Sequence, residues 1–324
     1  MDHRRIAGKG ASDLTRSETA PRIRKGLSRR IWKYRWLYVF LIPALIWYII
    51  FAYGPLYGLQ IAFRDFKVLK GITGSEWAGL EHFVKMATDR MFWRAAGNTV
   101  YISLIKLVFV STSGLVLALL LNEIAAKKYR AFSASITMLP HFFSWVVIAS
   151  IIREMASPST GVINYVITAL GGESIYFLGD SNWALFIIII SDIWESAGWN
   201  SIIFTAAIAA ISSELYEAAE IDGAGRWQQM VHVTLPCIAG TIVVVMVLKV
   251  GSMMSAGFDQ IFNLYNSATM DKLDIIDTYV YRLGIESSKY SYSSAVGLLK
   301  NVINLMLVLL TNWFAKRIGQ SGLL

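Results

Sequence analysis

Residues Leu215–Gly225, LYEAAEIDGAG, form an acidic, alanine-rich element between two long apolar stretches. Ser212 or Ser213 can cap a helix here and Gly223 can end it, so the pattern predicts a two-turn helix over Glu214–Asp222. A short helix with a face of small residues suits docking into a groove on a partner protein. The alternative is a solvated loop, and the surrounding sequence is needed to distinguish the two.

The composition around this element is that of a membrane protein. Of the 324 residues, 55% are hydrophobic and only 16% are charged, whereas soluble domains have about 25% charged residues. Six apolar runs approach or exceed the ~20 residues that cross a bilayer. We therefore predict an all-α integral membrane protein with six transmembrane helices. The predicted spans are Trp36–Tyr57, Gly97–Leu121, Ala131–Ile152, Trp183–Ile211, Leu235–Ser255 and Ala295–Phe314.

The basic residues predict the orientation. Residues 1–35 hold 11 of the 30 Lys and Arg. A nucleic-acid-binding arm is one explanation, but a basic stretch directly before an apolar span is first a topology signal. The span that follows is longer than a signal-peptide core and no A-x-A site follows it, so we predict an uncleaved anchor. Residues 1–35 are then a largely disordered cytoplasmic segment, and residues 36–324 form one six-helix domain.

With both termini inside, the predicted cytoplasmic pieces hold 17 Lys and Arg and the external loops hold 10. This orientation places Leu215–Gly225 in the cytoplasm, followed by a second helical piece over Ala224–His232. The external loops are predicted to contain a short interfacial helix within residues 159–172, STGVINYVITALGG, and another around Ile276–Leu283.

The fourth predicted span carries a cluster of polar and aromatic residues. Ionisable groups inside a bilayer are costly and are functional candidates by default. Asp192, Glu195 and Trp199 are spaced three and four residues apart, which places them on one helical face. Trp194 and Asn200 flank that face. We interpret the cluster as the wall of a translocation pathway; the alternative is polar contact between helices with a neutralised carboxylate.

Three lysines lie within other spans. Lys249 lies ~21 Å along a helix from Leu235, past the bilayer centre, and either contacts substrate or forms a buried ion pair with Glu195 or Asp192. Lys300 is close enough to a span end to reach the interface, whereas Lys106 is deeper in its span.

Other chemistry is missing from the sequence. There is no P-loop, H-E-x-x-H motif or nucleophile elbow. The single cysteine, Cys237, is expected to be a small buried apolar residue, and we predict no metal site. Two functions remain open for a membrane protein of this kind: an ion-coupled secondary transporter that uses Asp192 and Glu195, or a membrane-embedded enzyme. The four histidines are each expected to be isolated polar residues: His3, His82, His141 and His232.

The opening stretch resembles a family motif. EAA at Glu217–Ala219, three residues, Gly223, nine residues and VTLP at Val233–Pro236 resemble the EAA motif, EAA-x3-G-x9-I-x-L-P, of binding-protein-dependent ABC importer permeases. Val233 replaces the usual Ile. The resemblance implies the type I importer architecture, with residues 214–223 as the coupling helix that docks on a cytoplasmic ATPase. The implied coupling residues are Glu217, Ala218, Ala219, Asp222 and Gly223.

The rest of the chain is similar to the oligosaccharide and polysaccharide branch of this family, and especially to permeases of alginate importers. Residues 54–66, 77–83, 92–99 and 257–266 carry that likeness. In such permeases the spans on either side of the EAA loop contact the sugar. The implied pathway residues, together with those of the fourth-span cluster, are Asp192, Trp194, Glu195, Ser196, Trp199, Asn200, Lys249, Ser252 and Met253.

Glu195 and Lys249 depart from the neutral polar residues that are usual in the family, and a cavity lysine suits a uronate carboxylate. The resemblance thus implies import of an acidic oligo- or polysaccharide such as alginate across the inner membrane, by alternating access. It also implies a second, different permease chain, two copies of an ATPase and a periplasmic solute-binding protein. ATP and Mg²⁺ are expected on the ATPase, and no cofactor on this chain.

Overall fold

The computed structural model describes residues 32–317, and nearly all of the structure in them is helical. The chain divides into two units, one ending at Gly58 and one beginning at Leu59. Most of the basic segment predicted over residues 1–35 lies outside the described residues, as do residues 318–324 of the predicted cytoplasmic tail.

The first unit contains α1 (Arg35–Trp47), which continues through a π-helical turn at Tyr48–Tyr53. Every side chain from residue 35 to residue 57 is exposed, and most are large and apolar. Because lipid tails are as apolar as these side chains, such a helix is stable only in a bilayer. A 3-10 segment, Gly54–Phe63, follows.

The second unit begins with a small antiparallel hairpin of β1 (Arg64–Asp65) and β2 (Glu76–Trp77). Helices form the remainder. In chain order they are α2 (Gly71–Gly74), α3 (Glu81–Thr88), α4 (Arg90–Asn122), α5 (Lys127–Met138), α6 (Trp145–Met155), α7 (Val162–Ala169), α8 (Ser181–Ala209), α9 (Ser213–Ile221), α10 (Arg226–Gln229), α11 (Leu235–Gly251), α12 (Phe258–Leu264), α13 (Met270–Leu273), α14 (Ile276–Tyr281) and α15 (Tyr290–Arg317).

Each predicted span coincides with an apolar helical stretch of residues 32–317. Four continuous stretches are long and apolar enough to cross a membrane, and two bent helix pairs raise that number to six. The bent pairs are α5 with α6 and α8 with α9. The four continuous stretches are Arg35–Phe63, Arg90–Asn122, Arg226–Gly251 and Tyr290–Arg317.

The third predicted span, Ala131–Ile152, is not one continuous helix. α5 passes into a 3-10 turn at Leu139–Phe142, and α6 follows after a bend of 95°. Pro140 has no N–H to donate to the Ile136 carbonyl one turn back. The Leu139 N–H bonds that carbonyl instead, which tightens the helix at its end.

The helical piece predicted over Ala224–His232 is also not separate. α10 continues through a π-helical turn at Met230–Thr234 into α11, so one helix runs from Arg226 to Gly251. The two short helices predicted in the long loops are confirmed as α7 and α14.

Two glycines allow α8 to pack closely against its neighbours. A Cβ at Gly114 of α4 would lie 2.6 Å from the Cβ of Asn200 on α8. Gly198 of α8 lies so close to the backbone of Thr137 that no side chain fits between them. Small residues at such contacts let membrane helices approach each other. The packing holds the polar stretch of α8 between α4 on one side and α5 on the other.

Candidate substrate cavity and coupling surface

A cavity of about 240 Å³ lies where the polar stretch of α8 meets α4 and the C-terminal end of α11. The segment between α11 and α12 completes its wall. The cavity therefore combines charged and hydroxyl side chains with an apolar surround. Its lining residues are Ser103, Lys106, Leu107, Val110, Ser111, Asp192, Ser196, Lys249, Ser252, Met253, Ala256 and Gly257.

Lys106 forms an ion pair across the cavity. Its Nζ lies 2.8 Å from Asp192 Oδ2 and donates to Gln260 Oε1 at 2.5 Å. The Gln260 amide is buried and donates in turn to the Ile188 carbonyl on α8. Gly257, with φ +87°, leaves room for the ammonium, because a Cβ there would lie 2.6 Å from Lys106 Nζ. This network joins α4, α8 and α12.

Lys249 has a different environment. Its Nζ donates to the Asn200 side-chain oxygen at 3.2 Å, a neutral acceptor. Among residues 32–317, no carboxylate lies within 4.0 Å of this ammonium. The ion pair with Glu195 or Asp192 that the sequence left open is therefore absent. The buried amide nitrogen of Asn200 also has no hydrogen-bond partner among the described residues.

Glu195 is not among the residues that line the cavity, and it contacts the broken third span. Its carboxylate lies 2.9 Å from His141 Nδ1. The His141 ring stacks on Trp199, with centroids 4.6 Å apart and planes at 17°. Glu195 is buried, and α8 and the 3-10 turn that holds His141 are joined by this contact.

The structure divides the predicted pathway residues into four groups. Glu195 and Trp199 contact His141, while Trp194 is exposed on the outer side of α8. Asn200 lies beside the cavity through its bond to Lys249. The residues that line the cavity are Asp192, Ser196, Lys249, Ser252 and Met253.

Three residues of these networks, Lys106, His141 and Gln260, are missing from the predicted set of pathway residues. Lys106 is recognisable as a charge within a span, but its partner on another helix is not. The expectation that His141 is an isolated polar residue is wrong, because it pairs with Glu195. Gln260 carries no sequence signal, since a neutral amide in a loop helix gives no reason to suspect burial.

A second cavity, of about 640 Å³, lies among the loop helices and the start of α15. There Asp89 accepts hydrogen bonds from the hydroxyls of Tyr279 and Tyr292. Burial and the bond to Asp89 raise the pKa of Tyr279, so its hydroxyl keeps its proton. This cavity contains none of the predicted pathway residues.

α9 presents the predicted coupling residues to solvent. The Ser212 hydroxyl accepts from the Glu214 N–H at 3.3 Å, and Gly223, with φ +81°, follows the helix. Glu217 and Ala218 are exposed, Ala219 is half-buried, and Asp222 and Gly223 are exposed. Tyr216 links α9 to the following helix, because its hydroxyl lies 2.9 Å from that of Thr234.

An apolar groove of about 460 Å³ lies between the end of α4 and the start of the long α10–α11 helix, which follows α9 in the chain. Arg226 and Glu123 approach to 3.8 Å at its edge, and Trp227 is largely exposed. This part of the chain therefore has an acidic helix with small residues on one face, followed in sequence by residues that line an open apolar groove.

Comparison with known proteins gives consistent results. Residues 110–320 match the family model described as "Binding-protein-dependent transport system inner membrane component". The chain is 42% identical over 289 residues to Protein LplB of Bacillus subtilis (strain 168), covering 89% of this chain and 91% of that protein. It is 39% identical over 300 residues to the polygalacturonan/rhamnogalacturonan transport system permease protein YteP of the same organism, covering 93% and 94%.

A solved structure is also similar. A chain in the crystal structure of a bacterial alginate ABC transporter, in complex with an alginate pentasaccharide-bound periplasmic protein, has a TM-score of 0.84 and 39% sequence identity. The match covers 92% of this chain and 99% of that chain.

Proposed function

The chain belongs to the family of inner membrane components of binding-protein-dependent transport systems, and from this premise we propose that it carries an acidic oligo- or polysaccharide, such as alginate, into the cytoplasm. Its relatives are permease subunits of sugar ABC importers, so this chain is the membrane permease and not an enzyme. A separate subunit hydrolyses ATP. Membership in the family removes the secondary transporter and the membrane enzyme as alternatives.

One observation carries the substrate proposal: the Lys249 ammonium lines the cavity, and its one hydrogen-bond acceptor among residues 32–317 is the neutral side-chain oxygen of Asn200. A carboxylate is a stronger acceptor for an ammonium than an amide oxygen is. Two similar proteins support the same substrate class, since their names specify polygalacturonan and alginate, both of which are acidic.

α9 is proposed as the coupling helix. Its exposed residues Glu217 and Ala218, with Asp222 at its C-cap, would contact the ATPase, and Gly223 would set the direction in which the chain leaves the contact. ATP-driven closure of the ATPase would move α9 and, through the short link at residues 210–212, α8. The cavity would then open alternately to the two sides of the membrane.

The proposed assembly contains this chain, a second and different permease, two ATPase copies and a periplasmic solute-binding protein. ATP and Mg²⁺ would stay on the ATPase. Both termini of this chain would lie in the cytoplasm, which places α9 on the same side as the ATPase. Similarity to a transporter solved with its periplasmic protein supports this arrangement.

The test is uptake by the complete transporter in proteoliposomes that contain its binding protein. Lys249→Met is expected to reduce uptake of a uronate oligosaccharide by about tenfold to a hundredfold, the usual effect of a lost charge-assisted hydrogen bond. Uptake of a neutral oligosaccharide of the same length should change little. Lys249→Arg, which keeps the charge, is the matched control and should retain most of the acidic uptake.

Equal losses for acidic and neutral oligosaccharides would contradict the proposed role of Lys249. A wild-type transporter that takes up only neutral sugars would contradict the substrate class itself. Assembly of each variant is checked first, by copurification of the ATPase with the permease.

A further inference from the structure

We infer that pairing of Lys106 with Asp192 leaves Lys249 as the one unpaired cation among the described residues that line the cavity, so that the cavity accepts one substrate carboxylate at a time. The inference rests on the proposed function, because it assumes a substrate with carboxylates. It gives Asp192 and Lys106 a role in specificity that differs from that of Lys249. Asp192 would limit the number of free cations and would not bind the sugar.

The charges of the cavity lining give the basis for this inference. Among its lining residues, three side chains are ionisable: Lys106, Asp192 and Lys249. The first two form an ion pair and cancel, which leaves one positive charge. Glu195 and His141 are not among the lining residues, and the Glu195 carboxylate lies 2.9 Å from His141 Nδ1.

Lys106 is held by acceptors that are themselves fixed. An ammonium has three N–H donors, and the Lys106 ammonium has two acceptors among the described residues, Asp192 and Gln260. Gln260 cannot turn away, because its amide nitrogen donates to the Ile188 carbonyl at 2.7 Å and to Ser191 Oγ at 2.9 Å. Both ionic side chains are mostly buried, at 11% and 17% exposure. Separating such a pair leaves an uncompensated charge, which is costly in a membrane interior.

Lys249 can change its partner at much lower cost. It lies in the last turn of α11, and within the described part of the chain it bonds a single acceptor, an amide oxygen at 3.2 Å. An incoming carboxylate can replace that oxygen without breaking an ion pair. The two lysines of one cavity therefore differ: a substrate carboxylate gains a partner at Lys249 and is repelled at Lys106 by Asp192.

The size of the cavity agrees with the binding of one substrate carboxylate at a time. Pockets for drug-sized ligands are ~300–1,000 Å³, and this cavity of about 240 Å³ is smaller. It suits about one sugar unit at a time. A second carboxylate, on an adjoining sugar unit, would have no unpaired cation to bind in the cavity and would be repelled by the Asp192 carboxylate. The structure thus favours passage of an acidic chain in single-unit steps.

Charge-balanced variants of the complete transporter test the inference. In Lys106→Met, Asp192 loses its partner and is left to compete for Lys249, so uronate uptake is expected to fall about tenfold or more, as in Lys249→Met. In Lys106→Met combined with Asp192→Asn, the cavity again has one cation. Uronate uptake should then return to within a few-fold of wild type, since the two changes are coupled.

Asp192→Asn alone leaves two free cations. Uptake of an oligosaccharide with a carboxylate on every unit should then rise relative to one with a carboxylate on every second unit. Lys300 and Asp277 supply the control, because they form another ion pair with 12% and 21% exposure, and neither residue lines the cavity. Lys300→Met combined with Asp277→Asn should leave the ratio of the two substrates unchanged.

A second readout does not depend on transport. Lysine acylation of the purified transporter, read by mass spectrometry, should label Lys249 faster than Lys106 in wild type and should label the two more equally in Asp192→Asn. If wild type shows no preference for acidic sugars, the proposed function fails, while this labelling difference still tests the charge balance.

The inference is overturned if Lys106 is labelled as readily as Lys249 in wild type. It is also overturned if the double variant transports as poorly as Lys106→Met, because Lys106 would then act directly on the substrate or on the fold. A third contrary result is an unchanged preference in Asp192→Asn.

Discussion

The cavity and the coupling surface hold their charges in opposite environments. In the cavity, Asp192 and Lys106 are mostly buried and bonded to each other. On α9 and directly after it, the acidic side chains Glu217 and Asp222 are exposed to solvent. A buried charge is stable only when a group of opposite charge is paired with it. An exposed charge is stabilised by water and can bind another protein. The comparison predicts that changes in the cavity affect stability, and that changes on α9 affect communication with the ATPase.

The largest effect is expected when one buried charge loses its partner. Lys106→Met should lower the stability of the purified permease by about 3–5 kcal/mol, because Asp192 remains buried and unpaired. Thermal unfolding in detergent measures this. The double variant with Asp192→Asn should recover most of the loss. A Lys106→Met protein as stable as wild type would show that the pair is solvated.

A smaller effect on stability, but a large one on coupling, is expected for Gly223→Val. The φ of +81° suits glycine and strains a β-branched residue, at about 1–2 kcal/mol. The strain would redirect the chain after α9 and weaken docking. Substrate-stimulated ATPase activity should fall far more than the unfolding temperature does. Gly97→Val is the matched control, because Gly97 is helical and has open space around its Cβ position. Equal ATPase activities in the two variants would contradict the coupling role.

The smallest effect is expected for Ser212→Ala. The Ser212 hydroxyl caps α9 by accepting from the Glu214 N–H, and loss of such a cap costs about 1 kcal/mol. Hydrogen exchange should increase in α9 and remain unchanged in α8. Ser213→Ala, next in the chain, provides the comparison, since Ser212 is the N-cap residue. Faster exchange in α8 would show that the two helices do not respond separately.

The same contrast explains what the sequence could predict. α9 is built from neighbours in the chain, a serine cap at one end and a glycine at the other, so its position follows from local chemistry. The apolar spans follow from composition for the same reason. The pairing of Lys106 with Asp192 and Gln260 joins residues on three elements, and no spacing along the chain encodes it.

Two further features depended on tertiary contacts. The break in the third span needed both Pro140 and a helix able to receive the bent segment, and Pro140 alone is compatible with a kink or with a full break. The sequence correctly predicts that Glu195 lies on a transmembrane helix. Residue spacing alone, however, does not show which side chains of that helix line the cavity and which contact His141. Adjacent positions on a helix can face different neighbours.

The most direct test of the account is a structure of the assembled transporter with a uronate oligosaccharide held in its pathway. The account predicts one substrate carboxylate at about 2.7–2.9 Å from Lys249 Nζ, the usual distance of a charge-assisted hydrogen bond. Lys106 should still be bound to Asp192 in that structure. A substrate carboxylate bonded to Lys106, or an oligosaccharide that contacts Lys249 only through hydroxyl groups, would contradict it.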